Sequence, residues 1–115
     1  MIRLYGIPNC DTVKKARRWF ADHEINIEFH DFKKEGISQK LLSQWCEQLG
    51  WEALVNRRGT TWRQLPEGEK TNLNKKKACE LMVTAPTLIK RPVIEHNGRL
   101  WVGFEEDTYR EHFLS

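Results

Sequence analysis

Apolar positions along this chain switch between two spacings, and the order of the switches predicts a fold. Ile2-Arg3-Leu4-Tyr5 is a short alternating run that reads as a strand, and Gly6-Ile7-Pro8 bends the chain after it. From Asp11 to His23 the apolar residues are Val13, Ala16, Trp19 and Phe20, at steps of three and four, so one face of a helix is buried. Ile25, Ile27, Phe29 and Phe32 then nearly alternate with Asn26, Glu28, His30 and Asp31, which predicts a second strand. Strand, helix and strand within ~30 residues form a βαβ unit with a right-handed crossover. The first helix therefore packs on the sheet, with Cys10 at its exposed upper end.

The middle third carries helical spacing only. Lys33 to Gly36 reads as a polar turn and Ser38 as an N-cap. Leu41, Leu42, Trp45, Cys46 and Leu49 follow at helical steps, and Gly50 is the stop. Trp51 to Asn56 predicts another short helical turn, Arg57-Arg58-Gly59-Thr60-Thr61-Trp62-Arg63 has loop composition, and helices are expected near Glu67–Leu73 and Asn74–Thr84. Strand pattern returns after Ala85-Pro86. Val93-Ile94-Glu95-His96 and Arg99-Leu100-Trp101-Val102 flank Asn97-Gly98, the strongest short hairpin signal. Glu105-Glu106-Asp107 suits a helix N-terminus, with Tyr109 and Phe113 one turn apart. The order is βαβ, helical insert, ββα.

At 115 residues, with 39% hydrophobic and 30% charged residues, the chain is expected to be one soluble domain with a real core, the insert falling at about 37–85. The chain starts in strand pattern rather than in a signal peptide, and no run approaches the ~18 apolar residues of a membrane helix. Three cysteines without repeated spacing do not make a disulfide framework. A reduced, cytoplasmic protein is expected, with no membrane partner, and monomeric since no oligomer interface is evident. The net charge of +3 is too small to call for direct nucleic-acid binding. Basic residues do cluster: Lys14, Lys15, Arg17 and Arg18 behind Cys10, then Arg57-Arg58, Lys75-Lys76-Lys77 and Lys90-Arg91. The triple lysine reads as a solvated helix face; the alternative for such clusters is that some converge on an anionic substrate, which position relative to Cys10 decides.

Cys10 is the candidate for chemistry. A thiol at a helix N-terminus sits beside unpaired N–H groups and the positive end of the helix dipole, both of which favour the thiolate. Lys14, one turn below, adds positive charge, and Asp11 opposes it. Cys46 and Cys79 lie among apolar neighbours and are expected to be core thiols. His23, His30, His96 and His112 have no ligand-like spacing, so no metal is expected. Trp62, in its basic loop, is expected to flank the cleft. A βαβ–ββα mixed sheet, a cysteine where the first strand becomes a helix and a proline opening the third strand describe an α/β, thioredoxin-like fold with an inserted helical subdomain. In that position Arg91-Pro92 is expected to be cis, which holds the preceding backbone beside the sulfur, where an extended peptide such as glutathione can pair with it.

Tyr5-Gly-Ile-Pro-Asn-Cys10-Asp-Thr-Val-Lys-Lys-Ala16, His30-Asp-Phe32, Leu54-Val-Asn-Arg-Arg58-Gly-Thr-Thr-Trp-Arg63 and Ile89-Lys-Arg91-Pro92 together resemble the arsenate-reductase-like (ArsC/Spx) family. They look closest to its YffB-type branch of small glutathione-dependent thiol reductases, and the likeness runs over nearly the whole chain. The resemblance implies that Cys10 is the nucleophile and that Arg91 lines an anion site. It implies that Arg58 is the basic residue contributed by the insert, with adjacent Arg57 leaving that assignment open by one position. Asn9, Thr12, Lys14 and Pro92 fall in the same glutathione-binding motifs. Glutathione is implied as co-substrate, with no bound cofactor, and glutaredoxin as a further partner.

The departures from glutathione-coupled arsenate reductases concern the same site. Those enzymes resemble this chain except that a histidine stands four residues before the cysteine, where this chain has Gly6, and a serine three residues after it, where it has Val13. Their third anion-site arginine falls near Phe104. Val13 also removes the second thiol of a Cys-x-x-Cys pair, so any disulfide at Cys10 is expected to be mixed, most simply with glutathione. Three functions follow: a glutathione-dependent monothiol reductase; a genuine arsenate reductase, weakened by those substitutions; and a Spx-like transcription regulator binding RNA polymerase, without the Cys-x-x-Cys switch.

Overall fold

The computed structural model describes residues 1–114. Along the chain, β1 (Ile2–Gly6), α1 (Asp11–Asp22) and β2 (Ile27–Asp31) are followed by six helices: α2 (Phe32–Glu35), α3 (Gln39–Leu49), α4 (Trp51–Leu54), α5 (Thr60–Gln64), α6 (Glu67–Lys70) and α7 (Lys75–Thr84). A 3-10 turn at Pro86–Leu88 then leads to β3 (Val93–His96), β4 (Arg99–Val102) and α8 (Glu106–Phe113). The chain divides into two compact units, one of residues 1–30 with 91–115 and one of residues 31–90.

In the first unit the strands form one mixed sheet in the order β2-β1-β3-β4, a thioredoxin-like arrangement. β1 and β3 are antiparallel with Leu4 opposite Ile94 and Tyr5 opposite Val93; β3 and β4 pair Ile94 with Trp101 and His96 with Arg99. The hairpin between them turns at Asn97 and Gly98 with φ of 51° and 77°. Two successive positive φ values match the right-handed twist of the strands, and Asn-Gly tolerates them at least cost. Ile2 and Leu4 share a sheet face with Ile94 because strand side chains alternate. Val13, Ala16, Trp19 and Phe20 from α1 and Tyr109 from α8 complete that core. The aromatic rings meet mainly edge to face, as their quadrupoles favour: Trp19 and Tyr109 centroids lie 5.4 Å apart at 81°, and Phe20 and Phe113 lie 5.3 Å apart at 61°. The Tyr109 hydroxyl donates to the Gly103 carbonyl at 2.6 Å and ties α8 to the residue after β4.

In the second unit, α3 packs on α7 and α4. Its buried residues include Leu42 and Trp45 of α3, Leu54 of α4, and Ala78 and Met82 of α7. Side-chain caps fix where three helices begin: Asp31 accepts from the Lys33 and Lys34 N–H groups, Ser38 from Leu41, and Asn74 from Lys77. The triple lysine is partly structural, for Lys75 Nζ meets Glu47 of α3 at 2.7 Å and Lys77 Nζ donates to the Gly68 and Thr71 carbonyls.

Four local expectations change. The polar turn read at Lys33 to Gly36 is a helix, α2, as far as Glu35. Phe32 leaves the strand and opens α2, because the Asp31 cap turns the chain at that point, and its ring is buried near Trp45 at 6.1 Å. The Arg57–Arg63 stretch contains α5 rather than loop alone, a helix without a buried residue and so without apolar periodicity. The helix near residue 67 stops at Lys70.

Phe20 is 0% exposed at the centre of the aromatic core. Truncation by Phe20→Ala is expected to lower the unfolding free energy by about 3–5 kcal/mol, whereas Arg18→Ala on the exposed face of the same helix stays within about 0.5 kcal/mol. Urea denaturation of the two variants measures the contrast.

Candidate active site

The site in the first unit is built by the junction of β1 with α1. Cys10 is the N-cap residue of α1, with extended φ and ψ of −91° and 126°. Its N–H donates to the Ile7 carbonyl at 3.3 Å and its carbonyl accepts from Lys14 at 2.9 Å, so the main chain around it is fixed on both sides. The thiol makes no formal capping hydrogen bond. It is half-buried, and four influences act on its ionisation. Burial is the largest single effect and resists the thiolate. The Val13 N–H, the Arg91 guanidinium and the Thr12 N–H together outweigh burial and hold the Cys10 pKa below its ordinary value.

Arg91 reaches this sulfur through sheet register. Because Tyr5 lies opposite Val93, the residues just before β3 run alongside the chain that leaves β1. The Arg91–Pro92 peptide bond is cis, and the Pro92 carbonyl accepts from Gly103 at 2.8 Å.

Gly6 and Val13 form a packing unit beneath the cysteine. A Cβ placed on Gly6 would stand 2.6 Å from Val13 Cγ2, closer than real contacts permit, and Val13 is itself 0% exposed. A stiff β-branched side chain cannot swing aside. The two departures named above are therefore coupled: with Val13 in α1, position 6 has no room for a side chain. Phe104 is committed as well, its ring packed edge-on against Tyr109 at 5.0 Å and 88°.

Asn9 and Thr12 are exposed beside Cys10, and Thr12 acts on the sulfur through its main chain. Lys14 is also exposed and lines a 240 Å³ depression with Asp11, Lys15 and Arg18. In the second unit Arg58 lines a different cavity, of 450 Å³, shared with Glu52, Val55, Asn56, Arg57 and Lys90. Its three cations against one carboxylate favour anions. The Arg58 N–H donates to Asn56 Oδ1 at 3.1 Å. Arg57 stacks by Trp51 and Trp62, its guanidinium carbon 5.9 Å and 5.6 Å from their ring centroids, and Lys70 Nζ is also 5.6 Å from the Trp62 ring. Trp62 thus packs against cations of its own unit. Sequence reading marks Lys90 only as part of a basic cluster with Arg91 and gives Trp51 no site role. The grouping of Lys90 with Arg57 and Arg58 carries no local signal, since it is far along the chain from them. Among the described residues, no three or more His, Cys, Asp or Glu side chains gather as a metal ion would require.

A sequence model of the ArsC family matches residues 5–112. This chain belongs to the ArsC family. It is 48% identical over 113 residues to an uncharacterized protein of Haemophilus influenzae, covering 98% of this chain and 99% of that one. It is 30% identical over 112 residues to the global transcriptional regulator Spx of Streptococcus agalactiae, covering 96% of this chain and 81% of the regulator. Among solved structures, the YFFB (PA3664) protein superposes with a TM-score of 0.93 at 48% identity, covering 96% of this chain and 97% of that one. An arsenate reductase (ArsC) related protein from Brucella melitensis superposes at 0.79 with 47% identity, covering 97% and 93%. The chain is an arsenate-reductase-like member of a family that also contains Spx regulators.

Two outcomes are expected at this junction. The alkylation rate of Cys10, followed against pH, has its midpoint below the ~8.5 of a free thiol, and Arg91→Ala moves it upward; a midpoint at or above the free-thiol value refutes the electrostatics. Gly6→His lowers stability by about 1–3 kcal/mol, and the penalty shrinks when Val13→Ala is also present. Denaturation of the four members of that cycle measures the coupling, and an unchanged penalty contradicts the steric link.

Proposed function

We propose that this protein is a glutathione-dependent monothiol reductase acting through Cys10. The observation that carries the reading is Val13: a fully buried valine stands where a Cys-x-x-Cys motif would hold its second thiol. An activated sulfur without a partner in its motif suits chemistry in which the second sulfur arrives with a substrate. In the proposed cycle the Cys10 thiolate attacks a glutathionylated disulfide. A Cys10–glutathione disulfide forms as the original S–S bond breaks, and the substrate leaves as a thiolate. A second glutathione thiolate attacks that mixed disulfide, releasing oxidised glutathione and returning Cys10 to the thiolate. One glutathione thiol is consumed per turn: its sulfur is oxidised as the substrate sulfur is reduced to a thiol. The other half of the oxidised glutathione comes from the substrate disulfide. Arg91 favours the sulfur anion before attack and again after release. The Arg57, Arg58 and Lys90 cavity has the charge to take a carboxylate or an oxyanion. Glutaredoxin is a suitable physiological partner, and the cytoplasm, with its glutathione pool, a suitable location.

Similarity to Spx favours a second reading, a regulator whose partner is RNA polymerase. Arsenate reduction is the less favoured enzymatic alternative, since Gly6, Val13 and Phe104 occupy positions that glutathione-coupled arsenate reductases fill with polar side chains. Incubation with oxidised glutathione followed by intact mass measurement is expected to show one glutathionyl adduct on the wild-type chain, released by reduced glutathione and missing from Cys10→Ser. A wild-type chain that acquires no adduct excludes the reductase and favours the regulator. Arsenate turnover coupled to glutathione and glutaredoxin, abolished by Arg91→Ala, would instead establish the arsenate reductase.

A further inference from the structure

The second unit holds a pair of thiols that the proposed cycle does not use. Cys46 lies on α3 and Cys79 on α7, 33 positions apart in sequence, and their sulfurs are 2.9 Å apart. Both residues are only 4% exposed, and both thiols are free. The helices that carry them are held on either side of the pair. Trp45, next to Cys46, and Ala78 and Met82, around Cys79, are all buried. Glu47, also next to Cys46, is bound at 2.7 Å by Lys75, one turn before Cys79.

We propose that Cys46 and Cys79 are a second redox site, a buried dithiol that closes to an intramolecular disulfide under a peroxide oxidant. The sulfurs need to approach by less than about 1 Å to reach the ~2.05 Å of a disulfide bond. α3 and α7 already pack against each other, so the bond forms between helices that are in place. In the reaction one cysteine thiolate attacks a peroxide oxygen, the O–O bond breaks, and a sulfenic acid and water result. The second thiolate attacks the sulfenic sulfur, the S–S bond forms, and the S–O bond breaks to release a second water. The two sulfurs together lose two electrons, the peroxide gains them, and the two thiol protons end in the two water molecules.

The same burial sets the rate. Apolar surroundings, with a smaller effect from the neighbouring Cys79, push the Cys46 thiol up to about 12, and nearby Lys75 only partly opposes them. Little Cys46 thiolate is present at neutral pH and both sulfurs are shielded from solvent, so the pair closes more slowly than Cys10 reacts. It therefore records sustained oxidant rather than each turnover. Once formed, the bond cross-links α3 to α7 and removes loop freedom from the unfolded chain.

The test uses the folded full-length chain, as wild type and as Cys10→Ser, so that it is independent of the chemistry at Cys10. Each is held in hydrogen peroxide below its melting temperature, then unfolded, alkylated and digested. The expected product, in both chains, is a linked peptide pair joining Cys46 to Cys79. In Cys10→Ser the intact mass falls by two hydrogens and is restored by dithiothreitol, whereas in the wild type oxygen added at Cys10 is superimposed. The oxidised Cys10→Ser chain is expected to melt roughly 10 °C higher than the reduced one. Cys79→Ala removes both effects; should that variant fail to fold, the peptide linkage in the other two chains still decides. Cys46 and Cys79 both remaining alkylatable after Cys10 has been fully oxidised in the wild type, or linkage only between separate chains, would overturn the proposal.

Discussion

The approach of β1 to the first turn of α1 is the constraint on which the chemistry of this protein depends. Gly6 has no side chain because Val13 occupies the space, and this lets the helix start close against the strand. That start places Cys10 where the first-turn N–H groups are still unpaired. A bulkier residue at either position would shift the helix, and the sulfur would shift with it. The same sheet sets the second ingredient. Antiparallel pairing of β1 with β3 carries Arg91 past the end of the ladder toward the thiol.

The balance at Cys10 has a narrow physical logic. Its half-buried position costs the thiolate hydration, the largest single effect, yet the pKa still falls below the ordinary value. Two backbone dipoles and one guanidinium together outweigh that cost. The two other cysteines show the alternative. They have nearly complete burial, and of the groups near Cys46 it is Lys75, already paired with Glu47, that favours the anion. At Cys46 burial prevails and the thiol stays protonated. Cys10 and Cys46 therefore sit in opposite electrostatic settings, and the difference lies in the first-turn N–H groups and the Arg91 guanidinium that face Cys10.

Much of this was legible in the order of the residues. The βαβ unit shows as a change in apolar period between Leu4 and Ile27, and the hairpin as Asn97-Gly98, because these features depend on neighbours within a few positions. Cys10 was marked by its place between strand and helix. What escaped was tertiary. Phe32 falls one position out of the Ile25, Ile27 and Phe29 alternation, and the Asp31 cap ends the strand before it. α5 has no buried residue, so no apolar stripe shows it. The steric link of Gly6 with Val13 and the contact of Cys46 with Cys79 join residues whose separation carries no periodic signal.

The pairing of Leu4 with Ile94 has a further consequence, for the order in which such a chain can assemble. These partners are about 90 positions apart, and bringing together the ends of so long a flexible loop costs about 4 kcal/mol of chain entropy beyond a constant term. β3 also supplies the bridge by which β4 joins the sheet, so that non-local step stands ahead of the whole four-strand ladder. The helical segment between is built from shorter-range contacts, such as Glu47 with Lys75, 28 positions apart. Every helix formed there shortens the loop the sheet has to close. The helical segment is thus a spacer that contracts, lowering the entropic barrier to the pairing that aligns Arg91 with Cys10.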